Sequence, residues 1–310
     1  MLKPGIPKGF VVLAAVGLIC GVLSPPGVLA YQRPAHRELP DLDRRERAQA
    51  QPPPVRPSQA AARERLRQRV PRVRAEFDPV RQTPRWVASP ESFLTGPAGT
   101  GKGVSPDYAR PGSDQDPHRP VKAFVEDYQE LFGYGADTIA QARLRRDDSS
   151  PVNGLRSVVW EQQLDGIALY EGVLVGHITR DGELVNVASL FLANPAAAAE
   201  AGTPNRAALL AMPSIRAPQA VVNAAQSLEE GILLAAVRAL DEPRAGAERS
   251  QRFKAGSLPS EAEVKLVWLP LEAATLRLCW QVELTRHAGN ERYRVLVDVQ
   301  TGEVLVRRCL

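Results

Sequence analysis

The sequence has few of the residues that build catalytic and metal centres. Four histidines occur in 310 residues, and they lie far apart along the chain. The zinc-peptidase pattern His-Glu-x-x-His, which places two imidazoles and a glutamate on one helical face, is absent. No Gly-x-Ser-x-Gly turn occurs, and no cysteine has a histidine near it in sequence to act as a base. We therefore expect no catalytic residues and no cofactor or metal site.

Residues 96–103 are similar in sequence to a nucleotide-binding loop but lack the serine or threonine that ends it. They read GPAGTGKG, against the pattern G-x-x-x-x-G-K-[ST]. Gly103 stands where a serine or threonine would bind Mg²⁺, and the residues have neither a buried strand before them nor a helix after them. We interpret them as an ordinary loop.

Long apolar runs are also scarce, and the clearest one lies at the N-terminus. Residues 10–23 form an apolar run after Lys3 and Lys8 that is short for a membrane span. Val28-Leu29-Ala30 then matches a signal-peptidase site. The pattern predicts a signal peptide over residues 1–30, cleaved after Ala30, and a secreted or periplasmic protein with no membrane segment after cleavage. An uncleaved membrane anchor is the alternative.

Aromatic residues are sparse at 5%, and residues 31–74 contain only Tyr31. This stretch is rich in proline and arginine and has too few apolar residues to offset chain entropy. Its basic charge could attract nucleic acid, but base stacking needs aromatic side chains and the chain is predicted to be exported. We predict a disordered arm over residues 31–74 with no nucleic-acid partner; a short helix over residues 60–70 is the alternative within it.

Beyond the arm, the sequence predicts two helix-plus-sheet units. Apolar residues over 121–132 recur with the period of a helix, and strand patterns follow over 155–163, 167–179 and 183–192. Asp165-Gly166 and Asp181-Gly182 are hairpin turn signals between them. A helix over 217–239 and four strand patterns between 264 and 308 repeat the plan. We predict an α+β fold of two tandem helix-plus-antiparallel-sheet units, cystatin-like, joined near residues 195–216. This joint reads as a link, and a short helix over residues 196–201 is the alternative within it.

Two cysteines, Cys279 and Cys309, remain after signal cleavage. An oxidising compartment favours a disulfide between them, whereas two separate small apolar side chains are the other outcome. The sequence leaves both outcomes open.

Residues 145–192 resemble the fungalysin/thermolysin propeptide (FTP) domain. The residues that carry this resemblance are EQQ at 161–163, DGI at 165–167, Tyr170, DGEL at 181–184 and Val187, with FDP at 77–79 upstream. The C-terminal stretches LCWQVEL and YRVLVDVQTGEVLVRR are similar to the PepSY-like module that follows in such propeptides. The resemblance implies an FTP-like domain over residues 75–195 and a PepSY-like domain over residues 214–310.

In that family the region precedes a zinc peptidase domain, assists its folding and keeps it inactive until cleavage. The resemblance thus implies a propeptide-like inhibitor and folding assistant, whose partner is a fungalysin-like zinc metallopeptidase domain in cis or in trans. The chain is then either a piece of a zymogen or a stand-alone propeptide-like protein. The alternative function is a PepSY-type cell-surface or periplasmic binding module with no protease partner.

The same resemblance places Arg307 and Arg308 beside the junction with the peptidase. Paired basic residues there are a candidate processing site, although paired arginines at a strand end are commonly only solvated.

The signal-peptide pattern gives the first testable prediction. Secreted material should begin at or near Tyr31, because the small residues before it fit a signal peptidase. N-terminal sequencing checks this, and a mature protein that retains Lys3 and Lys8 would contradict it.

Overall fold

The computed structural model describes residues 39–45, 55–108, 116–256 and 258–310. The predicted signal peptide with its cleavage site at Ala30, and residues 31–38 and 46–54 of the predicted arm, lie outside these residues. The fold is α+β, which confirms the predicted class. Its strands form one continuous sheet, in which two antiparallel halves meet at a single strand.

The N-terminal half is a sheet with helices on one face. Its strands are β2 (Arg74–Phe77), β3 (Pro84–Ala88), β4 (Arg143–Ser149), β5 (Arg156–Leu164), β6 (Ile167–Ile178) and β7 (Leu184–Ser189), in the order β4-β5-β6-β7-β3-β2. Its helices are α1 (Pro57–Arg69), α2 (Arg119–Asp127), α3 (Gln129–Phe132) and α4 (Ala136–Gln141). Phe124, Tyr128 and Phe132 are fully buried against Trp160 and Leu174 of the sheet.

The C-terminal half repeats this plan with a larger sheet. A short strand, β1 (Leu42–Asp43), joins it from the N-terminus. The other strands are β8 (Val237–Ala239), β9 (Gln251–Ala255), β10 (Ala262–Glu272), β11 (Thr275–Thr285), β12 (Arg292–Asp298) and β13 (Val304–Cys309), in the order β8-β9-β10-β11-β12-β13-β1. The helices are α5 (Pro195–Gly202), α6 (Arg206–Ala211) and α7 (Ala217–Ser227).

Three predicted boundaries need correction. The helix predicted over residues 217–239 ends at Ser227, and Glu229 then takes a left-handed backbone. Within the link predicted over residues 195–216, the alternative of a short helix over 196–201 is confirmed by α5, and α6 follows it; their Ala198, Ala199 and Leu209 enter the C-terminal core. Strands β1–β4, β8 and β9 were not predicted, and the sequence of β4, RLRRDDS, is charged almost throughout. The domain boundaries at 75–195 and 214–310 stay a prediction.

Disorder over residues 31–74 is wrong for residues 39–45, where β1 pairs with β13, and for residues 55–74, where the alternative of a helix is confirmed by α1. Gln59, Ala62 and Leu66 of α1 recur on one helical face and are buried. The arginines of the opposite face find partners outside the helix: Arg69 binds Asp127 at 2.7 Å, and Arg65 donates to the Asp127 carbonyl at 2.6 Å. A narrow apolar stripe is enough here because ion pairs satisfy the basic side chains.

β6 joins the two halves. Residues 173–178 pair with β5 and β7, and Leu169 pairs with Trp268 of β10 in parallel. The β5–β6 turn has φ of 54° at Asp165 and 74° at Gly166, which is the primed hairpin geometry that the sequence predicted. This turn reaches the other half, where Ile167 and Leu169 are buried in the C-terminal core.

A buried charge cluster fixes this junction. Arg45 is 2% exposed, and its guanidinium donates two hydrogen bonds to the Asp43 carboxylate, at 2.9 and 2.8 Å. Its remaining Nη1 donates to Glu171 of β6 at 3.1 Å. Arg308 of β13 also binds Glu171, at 2.6 Å, and Asp43, at 2.9 Å. The N-terminal strap (residues 39–45) is thereby held to strands of both halves.

Asp43 gives a testable prediction on acid stability. Burial alone would raise the pKa of Asp43, but the hydrogen bond and charge of Arg45 outweigh it and lower the pKa from 3.8 to about 2. A carboxylate whose pKa is depressed on folding stabilises the fold above its unfolded pKa and loses that contribution as pH falls through the folded pKa. Asp43→Asn should cost about 3 kcal/mol at neutral pH, because it leaves Arg45 buried without its main partner.

Denaturant unfolding at several pH values checks this. The variant should lack part of the stability that the unmodified chain loses between about pH 5 and pH 2. Asp181→Asn, at an exposed turn, is the matched control. Equal unfolding free energies for Asp43→Asn and the unmodified chain at neutral pH would contradict the role of the cluster.

Candidate functional site

The histidines of the described residues lie beside one or two polar neighbours each and do not form a metal centre. His118 Nε2 lies 2.8 Å from Asp147, and His177 Nδ1 lies 2.9 Å from Asn186 on the adjacent strand. His287 donates its backbone amide to Glu230 at 2.7 Å. Within residues 39–45, 55–108, 116–256 and 258–310, no group of three or more His, Cys, Asp or Glu side chains is placed to hold a metal.

The adjacent acids Asp147 and Asp148 serve as ion-pair partners. The hydrogen bond from Arg156 lowers the pKa of Asp147 to about 2, so this carboxyl is ionised and cannot donate a proton near neutral pH. Arg156 binds it twice, at 2.6 and 2.7 Å. Asp148 is bound by Arg146. Together with His118, Asp147 ties edge strand β4 to the start of α2, which is a structural role.

The glycine-rich loop is a packed turn. A 3₁₀ turn covers Pro97–Gly99, and the next described helix begins only at Arg119. Gly103, which replaces the hydroxyl residue of a phosphate loop, lies against the Leu94 carbonyl. A Cβ at Gly103 would be 1.8 Å from that oxygen, so packing alone requires a glycine there. The interpretation as an ordinary loop agrees with this geometry.

A disulfide between Cys279 and Cys309 is ruled out by the strand registers, and the two do not form one. Cys309 pairs with Tyr293, and Tyr293 pairs with Leu284, five residues along β11 from Cys279. Two strand spacings and five residues separate their Cα atoms by about 19 Å, whereas a disulfide needs at most about 7 Å. Cys279 also lies in a cluster with Val267 and Leu296, whereas Cys309 packs against the core on the opposite face. Of the two outcomes that the sequence left open, separate cysteines are therefore correct.

Arg307 and Arg308 lie within the sheet, where their side chains have internal partners. Arg307 donates to the carbonyls of Ser227 and Pro40. Arg308 binds Glu171 and Asp43 in the junction cluster. β13 pairs with β12 on one side and with β1 on the other, so cleavage at this pair requires the strand to leave the sheet. Processing there stays a prediction.

One surface of the N-terminal half was not foreseen. Its sheet turns one face toward α1–α4. The opposite face has polar side chains at one end, where His177 pairs with Ser157 and Asn186, and apolar, mostly half-buried side chains across its middle. We call this the outer belt: Val159, Val173, Val175, Ala188 and Leu190, with Trp86 at 36% exposure. The strand registers bring them together, since Val175 pairs with both Val159 and Ala188, and Ala188 pairs with Trp86.

A sequence signal for the outer belt existed. Val158-Val159 and Val173-Leu174-Val175 break the strict alternation of a strand with one buried face. Such continuous apolar runs are typical of strands that are covered on both faces. In the described residues, helices cover only the face that contains Val158 and Leu174.

No helix within the described residues is both long and apolar enough to cross a membrane.

Comparison with known proteins identifies one segment. The family description "Fungalysin/Thermolysin Propeptide Motif" matches residues 140–189, which run from the end of α4 to the end of β7. The C-terminal domain of YpeB from Bacillus megaterium is similar at 13% identity, over 82% of this chain and 96% of that chain, with a TM-score of 0.26. No curated protein sequence matches the chain. The PepSY-like character of residues 214–310 stays a prediction. The resemblance of the central segment is confirmed, because residues 140–189 match the fungalysin/thermolysin propeptide motif.

Proposed function

We propose that this chain is a propeptide-like inhibitor and folding assistant of a secreted zinc metallopeptidase of the fungalysin/thermolysin kind. The observation that carries the proposal is the propeptide motif at residues 140–189. A propeptide motif has no catalytic role of its own, and within the described residues no group of side chains is placed to hold zinc. The chain therefore acts by binding the peptidase.

The architecture supports a binding role. An inhibitor that blocks a peptidase must keep its own surface fixed while it buries several hundred Å² on the enzyme. The motif strands β4–β7 are fixed on one side by the aromatic core of α2 and α3. They are fixed at the end by the β5–β6 turn, where Trp268 Nε1 donates to the Leu164 carbonyl at 3.1 Å. A preorganised sheet of this kind loses little conformational entropy when it binds.

An inhibition and refolding assay tests the proposal. The mature zinc peptidase domains of the fungalysin/thermolysin kind from the same genome are each incubated with this chain. With a Kd of about 1 µM, a chain concentration of about 10 µM should leave roughly one tenth of the hydrolysis rate of the cognate enzyme. Refolding of that denatured enzyme should give a higher yield when the chain is present.

The control is the chain alone, which should hydrolyse no peptide, together with an unrelated serine peptidase, which it should not inhibit. If none of the zinc peptidases is bound, slowed or helped to refold, the proposed function is wrong.

A further inference from the structure

The outer belt is unusual for an antiparallel sheet with helices on one face. The free face of such a sheet is normally polar. On the outward face of the C-terminal half, the apolar side chains Val267, Leu269, Cys279 and Leu296 are buried in a cluster with Tyr170. The positions of that face outside the cluster are polar, since Lys265 pairs with Gln281, and Glu283 pairs with Arg294. The outer belt of the N-terminal half instead has valines, an alanine and a tryptophan that are only half-buried or exposed. The difference lies within one molecule, so it is not a general property of its composition.

The outer belt is broad enough to receive a folded surface. It crosses four adjacent strands, β5, β6, β7 and β3, a width of about 15 Å. An extended peptide would instead add to the edge of a sheet through main-chain hydrogen bonds. Apolar side chains spread over a sheet face therefore favour a folded partner with an apolar patch.

A basic rim borders the outer belt at β4. Arg143 and Arg145 share Glu161, at 3.6 and 4.0 Å, and their side chains are 44% and 54% exposed. Arg143 also lies 3.8 Å from Glu248. Arg143 also donates to the Gln163 amide oxygen, at 3.0 and 3.1 Å, so Arg145 is the less fully paired of the two arginines. A partner that presents a carboxylate beside its apolar patch would complete the ion pairs.

A second copy of this chain fits the outer belt less well. It offers the same apolar side chains, but the carboxylates of this face already have arginine partners. Glu76 binds Arg85 at 2.9 Å, Glu161 faces Arg143 and Arg145, and Asp148 binds Arg146. A copy therefore brings no unpaired acid to the basic rim.

We propose that the outer belt is the docking surface for the peptidase domain, with an acidic group of that domain facing the β4 rim. This inference rests on the proposed function and adds the contact surface to it. Val159, Val173, Val175 and Ala188 all lie within the propeptide motif, so the segment that links the chain to propeptides also supplies the surface. The partner completes the cover that the two-sided apolar runs of β5 and β6 require.

Substitutions in the outer belt test the proposal by binding measurements against the zinc peptidase that the unmodified chain inhibits. Val175→Glu should raise the Kd by at least about 30-fold, because it places a charge at the centre of an apolar contact. Val175→Thr, of similar shape, should raise it by about threefold. Arg145→Glu should raise the Kd as well, and the increase should be larger at low salt than at high salt, because salt screens the interaction between charges. Gln281→Glu, on the outward face of the C-terminal half, is the matched control and should change the Kd by less than about twofold.

Unfolding curves of each variant show whether the fold is intact, and Val175→Thr keeps the test valid if Val175→Glu does not fold. If the unmodified chain binds and both folded Val175 variants bind equally well, the docking surface is wrong and the proposed function stands. If the unmodified chain binds no zinc peptidase, the proposed function itself is wrong. Sedimentation in which Val175→Glu converts a dimer to a monomer without changing peptidase binding would assign the outer belt to a second copy and overturn the proposal.

Discussion

Glu171 is the residue on which the arrangement of the two halves depends. It lies where β6 leaves one half of the sheet for the other, and its φ of 57° bends the strand there. Its carboxylate receives Arg45 at 3.1 Å and Arg308 at 2.6 Å, and Arg81 Nη2 lies 3.9 Å away. A buried guanidinium without a partner costs several kcal/mol. The N-terminal strap, the turn before β3 and the last strand are therefore all held to one side chain, and each needs the others in place.

This junction has a consequence for binding. The propeptide motif forms β4–β7, but Ile167 and Leu169, which follow the β5–β6 turn, are buried in the core of the other half, and Arg206 binds Asp165 of the turn at 2.8 Å. The C-terminal half thus acts as a support for the motif as well as a unit with its own core. A surface that is supported in this way keeps its conformation when it binds an enzyme. An inhibitor that blocks access to an active site requires such a fixed surface.

The sequence predicts what depends on local patterns and misses what depends on partners. Strands β5–β7 and β10–β13, the helix that contains Pro120 and the Asp165-Gly166 turn follow from apolar periodicity and turn chemistry. β4 could not be predicted, because an exposed edge strand has no apolar face to reveal it. Helix α1 was predicted only as an alternative to disorder. Its Arg69 and Arg65 form ion pairs with Asp127 and Glu130, which lie more than fifty residues away in sequence. The separation of Cys279 from Cys309 follows from strand register, which composition does not encode.

The outer belt combines both kinds of information. The sequence Val173-Leu174-Val175 places apolar side chains on both faces of β6. The fold shows that helices cover only the face that contains Leu174. Burial of apolar area is worth about 25 cal/mol per Å², so half-buried valines at the centre of a sheet leave stabilisation that only a partner can supply. On the outward face of the C-terminal half, apolar side chains are buried in the cluster with Tyr170, and the positions outside that cluster are polar. The valines of the propeptide motif are therefore best explained by selection for a contact, and the arginines beside them by the charge of the partner.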